Sequence, residues 1–192
     1  MRRSVLVRSA APVGVGAHAL TIRVDVHPSV HSVKRHDDDA IVRHALGSLG
    51  VPHVPFTVQI LPDMPRSSDS IDLAIALGLL AAHDMTPSDV LADVHVLGRL
   101  TMDGTIQPVR AVLPILTVLP ILTDLPNDRP LTVLVPRANL QEAQLVEGVI
   151  ILSADSLKEA IALLRQPTRP DATRATPITI PDAPRDPPRR AR

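Results

Sequence analysis

The apolar residues of this chain change their period repeatedly, and that alternation narrows the folds open to it. Leu20 to His27 alternates apolar and polar with a period of two, as in a strand buried on one face. Asp37, Asp38 and Asp39 then open a helix with Ile41, Val42, Ala45, Leu46 and Leu49 on one side. Acidic residues in a first turn suit the helix dipole, and Gly50 and Pro52 stop the helix. Val54 to Leu61 reads as a second strand. Ser67, Ser68, Asp69 and Ser70 supply caps for a buried helix over Ile71 to Ala82. His95 to Met102, Asp103-Gly104 and Thr105-Ile106 predict a hairpin, because Asp-Gly is a favoured two-residue primed turn. Leu131 to Val135 predicts a strand ending at Pro136, Arg137 to Val146 a helix, and Val149 to Leu152 a short buried strand. Asp155 or Ser156 caps a last helix that runs to about Leu164. Strands and helices in alternation predict an α/β chain, in its α+β two-layer form.

The core of such a chain must be aliphatic. Apolar residues make up 45% of the sequence, yet Phe56 is its one aromatic residue, so base stacking on aromatic platforms is excluded as a binding mode. Twenty basic and twenty acidic residues cancel, so net charge steers the chain toward neither nucleic acid nor membrane. The absence of cysteine removes disulfides, thiolate nucleophiles and cysteine metal sites. Arg2-Arg3 gives the start a faint twin-arginine look, but Arg8 interrupts the apolar run, and no segment approaches the roughly 20 apolar residues that span a bilayer. A soluble, cytoplasmic protein with no membrane partner is expected.

Two stretches stand apart. Val112-Leu113-Pro114-Ile115-Leu116-Thr117 is followed by an identical copy, Val118 to Thr123. Six residues turn a helix by about 600°, so the copies face about 240° apart and cannot both meet one core. A helix over Val112 to Val118 with a break or kink near Pro120 is predicted. From about Gln166 to Arg192 the chain is rich in proline and carries Arg169, Arg174, Arg185, Arg189, Arg190 and Arg192 against Asp171, Asp182 and Asp186. Such a stretch buries too little surface to offset its ordering entropy. The expected division is one domain over residues 1–165 and a disordered tail over 166–192. Arg185, Arg189, Arg190 and Arg192 are the candidates for contact with acidic partners or phosphate.

Three motifs in fixed order carry a family resemblance. Residues 58–82 run Val-Gln-Ile-Leu-Pro-Asp-Met-Pro-Arg-Ser-Ser-Asp-Ser-Ile-Asp-Leu-Ala-Ile-Ala-Leu-Gly-Leu-Leu-Ala-Ala. Leu97-Gly98-Arg99-Leu100-Thr101-Met102-Asp103-Gly104 leads to Arg110-Ala111-Val112-Leu113-Pro114, and Val135-Pro136-Arg137-Ala138-Asn139 precedes Glu142-Ala143. The pattern resembles the N-terminal ChlI-type domain of the ComM/YifB group of magnesium-chelatase-like AAA+ ATPases. It covers about residues 4–165, more loosely over 4–36. The resemblance implies a Lon-peptidase-domain-like fold, as in domain two of ribosomal protein S five. In that family the domain precedes an AAA+ module. No Gly-(x)4-Gly-Lys-Ser/Thr phosphate loop occurs here, and the chain is expected to be too short to hold one, so any motor would be a separate chain.

The Lon fold places a serine nucleophile with a lysine base. The alignment puts Ser70 at the nucleophile position and, through the Gly-(x)5-Gly spacing of Gly98 and Gly104, Leu113 at the lysine position. A serine hydroxyl needs a base within hydrogen-bond reach, and leucine offers none. Lys34 and Lys158 lie elsewhere in the sequence; His83 sits about 20 Å along the helix from Ser70, and His95 starts the hairpin. Ser70 is therefore read as a helix-start residue and a vestigial nucleophile position. Arg66, Ser67 and Ser68, before a helix N-terminus, are anion- or ligand-binding candidates. His27, His31 and His36 beside Asp37 to Asp39 offer ligand types at loose spacing, and neither a metal site nor a cofactor is expected.

Three functions follow. The favoured one is a non-catalytic accessory or regulatory domain acting with an AAA+ partner, which the resemblance links to DNA processing. The others are a Lon-type serine peptidase acting through Ser70 and a nucleic-acid-binding module using the basic tail. A homo-oligomer is an expectation by analogy alone.

Overall fold

A computed structural model describes residues 3–14, 16–27, 39–63, 71–123, 130–166 and 173–174. The chain begins with two eleven-residue strands, β1 (Arg3–Val13) and β2 (Gly16–Val26), paired antiparallel from Arg3↔Val26 to Val13↔Gly16. The expected strand at Leu20 to His27 is the second half of β2. β3 (Phe56–Leu61) adds antiparallel to β2 after α1 (Asp39–Gly47). The helix α2 (Asp72–Ala82) and the one-turn α3 (Ser88–Ala92) lead to β4 (Val94–Val96), which lies parallel to β1. β7 (Leu131–Pro136) and β8 (Val149–Ala154) extend the parallel part. Thr173 and Arg174, within the stretch expected as tail, form β9 antiparallel to β8. The sheet order is β3-β2-β1-β4-β7-β8-β9, a mixed sheet with an antiparallel N-terminal half. The α/β class follows directly.

Period two sorts the side chains. Val5, Val7 and Ala11 of β1 and Leu20, Ile22, Val24 and Val26 of β2 meet α1, α2 and α6 (Leu157–Arg165) in the larger core. Ala10 and Ala17, with Leu131, Val133 and Val135 of β7, face the other way. There they meet α4 (Val112–Leu122) through Val112, Ile115, Leu116 and Leu119. The helix α2 is apolar on every side and buries ten residues, which its position between sheet and surrounding helices requires. A Cβ on Gly78 would come 2.8 Å from Val24 Cγ2, so the missing side chain sets how close α2 lies to the sheet.

Four expectations need correction. The helix α4 runs on through Pro120 and stops at Leu122. Pro120 gives up the N–H that would bond Leu116 O, yet the helix continues past it, and Thr123 closes the end by donating its N–H and hydroxyl to Leu119 O at 3.1 and 2.9 Å. The rotation argument holds: the second hexapeptide buries Leu119 and leaves Ile121 82% exposed. The helix expected over Arg137 to Val146 is a 3-10 turn (Arg137–Asn139) followed by the single turn α5 (Leu140–Ala143). Asn139 and Glu142 direct their side chains to α4 instead, as described below. The strand expected over His95 to Met102 is divided, since β4 belongs to the main sheet and β5 (Arg99–Leu100) pairs with β6 (Ile106–Gln107) in a separate ribbon. Its turn is wider than a two-residue turn. Thr101 N donates to Thr105 O, and Gly104, at φ +84°, sits in the left-handed position that closes a three-residue loop.

The last helix matches its signals. Ser156 Oγ accepts from Glu159 N at 3.3 Å as the cap. The expected caps Ser67 to Ser70 and the aspartates Asp37 and Asp38 lie outside the described residues.

Candidate functional site

The family motifs converge on the entries to α2 and α4. The first-turn N–H of Leu73 donates to Gly98 O at 3.1 Å. A Cβ on Gly98 would stand 2.8 Å from Leu73 Cδ2 and 3.2 Å from Ile106 Cγ2, so glycine lets the start of α2 lie against the β5–β6 ribbon. The ribbon is fixed in turn to the start of α6: Ile106 N donates to Asp155 O at 2.8 Å and Leu157 N to Gly104 O at 2.9 Å. Hydrogen bonds from the Thr101 hydroxyl and from Thr105 to Asp103 hold its carboxyl below the ordinary range. The loop is thereby tied to itself, and Asp103 is a turn residue.

The start of α4 is built from a distant segment. Asn139, 6% exposed, offers its amide to both main-chain groups of Val109: Val109 N donates to Oδ1 and Nδ2 donates to Val109 O, each at 3.0 Å. Glu142 accepts from Asn139 Nδ2 at 3.3 Å and, with its other oxygen, from Leu113 N at 2.9 Å. A carboxylate there satisfies an N–H that a helix start leaves unpaired and places negative charge at the favourable end of the dipole. Asn139 and Glu142 were legible as motif residues, but their structural task was not assigned from sequence. The signal available was an Asn and a Glu three apart beside an apolar strand.

Leu113 stands on this first turn with its side chain 36% exposed. It is a hydrocarbon with no atom that accepts a proton, at the position where the resemblance expects a base. Ser70, Arg66, Ser67 and Ser68 lie outside the described residues, as do Arg185, Arg189, Arg190, Arg192 and Lys34. Lys158 is exposed on α6, and His83 follows the last residue of α2.

His95 lies in β4, 2% exposed, with Nδ1 buried and lacking a hydrogen-bond partner among the described residues. Burial, and then the charge of Arg8 opposite it on β1, push its pKa down to about 4, so the ring is neutral near pH 7. Sequence reading did not foresee this environment. His27 Nε2 lies 3.0 Å from Thr57 Oγ1, and His31, His36, Asp37 and Asp38 fall outside the described residues. No group of three or more metal-ligating side chains forms among the described residues.

Comparison with known proteins places these motifs. The model of the family described as "Subunit ChlI of Mg-chelatase" matches residues 17–139, well over half of the chain. The chain belongs to the ChlI family. Uncharacterized proteins of Mycobacterium tuberculosis (strain H37Rv) and Mycobacterium bovis are each 29% identical over 190 residues, which is 93% of this chain and 36% of each relative. The uncharacterized protein YifB of Escherichia coli (strain K12) is 26% identical over 172 residues, 83% of this chain and 32% of YifB. The ChlI-family chain thus spans about a third of the length of the curated relatives it matches. The 17–139 match ends at Asn139, the residue that anchors the approach to α4. Among the described residues no helix is long and apolar enough to cross a membrane.

Proposed function

We propose that this ChlI-family chain is a non-catalytic accessory or regulatory domain that works with an AAA+ ATPase in cytoplasmic DNA processing. The observation that carries the reading is Leu113. Its main-chain N–H is taken by Glu142, and its side chain offers no base where a Lon-type serine would need one. The family match supports the AAA+ setting, and the tail arginines supply the phosphate contacts in this reading.

The test has two arms. Purified full chain is assayed for hydrolysis of casein and of a fluorogenic peptide, alongside Ser70→Ala; no turnover in either is expected, and turnover abolished by Ser70→Ala would refute the reading. The chain is then added to a magnesium-chelatase-like AAA+ protein, and its DNA-stimulated ATP hydrolysis is measured with and without residues 166–192. A saturable change in rate is expected, with a dependence on salt that weakens when the tail is removed.

A further inference from the structure

The sheet is covered unequally on its two sides. One face meets α1, α2 and α6, and the other meets α4 and the single turn α5. Five of the eight large apolar side chains exposed among the described residues belong to this second side, so its cover is incomplete. Leu113, Ile121 and Leu122 stand exposed on α4. Leu6 lies two alternations from Ala10 along β1, and Leu61 pairs with Thr21, one alternation from Ala19 along β2. Both therefore share the sheet face of those alanines, which is the face that α4 packs on.

The outward side of α4 is a product of the repeated hexapeptide. The second copy stands about 240° around the helix from the first. Ile115 is thus fully buried while its counterpart Ile121 is exposed, and Leu113 is turned out while its counterpart Leu119 is buried. Thr117 carries the one polar side chain on the outer side, and its hydroxyl is already donated to Leu113 O at 2.8 Å. No residue of α4 is charged. A helix that is apolar all round belongs between neighbours on all sides. Among the described residues α4 has them on its inner side only.

A second copy of the chain fits this surface poorly. Eleven helical residues extend about 16 Å, so two copies joined along α4 would bury far less than the roughly 800 Å² per partner of a stable interface. A module held close by a tether needs less contact, because the tether raises its effective concentration. The curated relatives carry about two thirds of their length outside the match, so a neighbour on the same chain is available to them. We propose that the outer side of α4 is the docking surface for the AAA+ ATPase of the accessory reading, on which this inference rests. The partner presents an uncharged aliphatic surface to Leu113, Ile121 and Leu122.

Calorimetry of the full chain with the same magnesium-chelatase-like AAA+ protein tests this, alongside the rate of ATP hydrolysis. Saturable binding of the wild type is expected. Ile121→Ser is expected to weaken it about tenfold, and Ile121→Ser combined with Leu122→Ser further, as apolar area leaves the contact. Met102→Ser, an equally apolar and exposed position on the loop of the β5–β6 ribbon, is expected to leave binding unchanged. Binding equal in the wild type and the double variant would overturn the proposal and leave the accessory reading standing. No saturable binding would also overturn it, and the accessory reading would then depend on whether ATP hydrolysis still changes. Self-association in sedimentation velocity that Ile121→Ser abolishes would assign the surface to a second copy and overturn the proposal in that way.

Discussion

The helices α2 and α4 have the same length, eleven residues, and neither carries a charge beyond Asp72 of α2. Their fates differ. The helix α2 buries ten positions between the sheet and its neighbours, whereas α4 buries Val112, Ile115, Leu116 and Leu119 and turns Leu113, Ile121 and Leu122 outward. Apolar composition therefore says that a helix can be buried, and neighbours decide how far. Gly78 makes the difference visible, because it brings α2 against Val24 and Val7, while α4 has nothing comparable on its outer side.

That contrast can be broken at single residues. Leu77→Ala, on a side chain with no exposure, is expected to cost about 2–5 kcal/mol in urea unfolding, from lost transfer energy plus a cavity. If it costs under 1 kcal/mol, α2 is not the centre of the core. The next largest effect belongs to His95, on the sheet face that α4 shares. Its folded pKa of about 4 lies below the ordinary 6.5, so the unfolded chain binds the proton more readily. Stability is full above about 6.5 and is lost as pH falls toward 4, by about 3 kcal/mol in total. The midpoint of urea unfolding measured from pH 7 to 4 should show this slope, and His95→Gln should flatten it.

Asn139→Ala leaves both main-chain groups of Val109 without their buried partner and is expected to cost about 1–3 kcal/mol. Amide exchange at Val109 should accelerate with it, and an unchanged rate would show that Asn139 does not fix the start of α4. The smallest effect is expected at Ile121. With 82% exposure, Ile121→Ser should change stability by less than about 0.5 kcal/mol, and a larger loss would mean that the outer side of α4 is covered in solution.

Much of this was legible in the sequence where one face of one element decides the outcome. The α2 run, the Ser156 cap of α6 and the strands β3, β7 and β8 follow from period and punctuation. β1 was not legible, because Arg8, Ser9, Ala10, Ala11 and Pro12 dilute the alternation that Val5 and Val7 begin; its identity as a strand comes from β2 and β4 on either side. α3 is five residues long, too short for a helical period to register. Pro120 does not break the helix where the sequence suggests, because the Thr123 N–H and hydroxyl bonds to Leu119 O carry the last turn beyond it. At the site, the motifs identified Asn139, Glu142 and Leu113, but the bonds joining them cross about thirty residues and no local pattern encodes them.

The ladder between β1 and β4 consists of one pair, Arg8 and His95, supported by the Ser9 hydroxyl donating to Val96 O at 2.7 Å. β1 and β2 can zip within the first 26 residues, since their contacts are local in sequence. The join to β4 must wait for residues almost ninety positions later. During synthesis the outer border of β1 therefore stands open while the intervening chain is made, a span in which another extended segment could occupy it. The narrow suture between the two halves is the part of this protein that depends most on order of assembly.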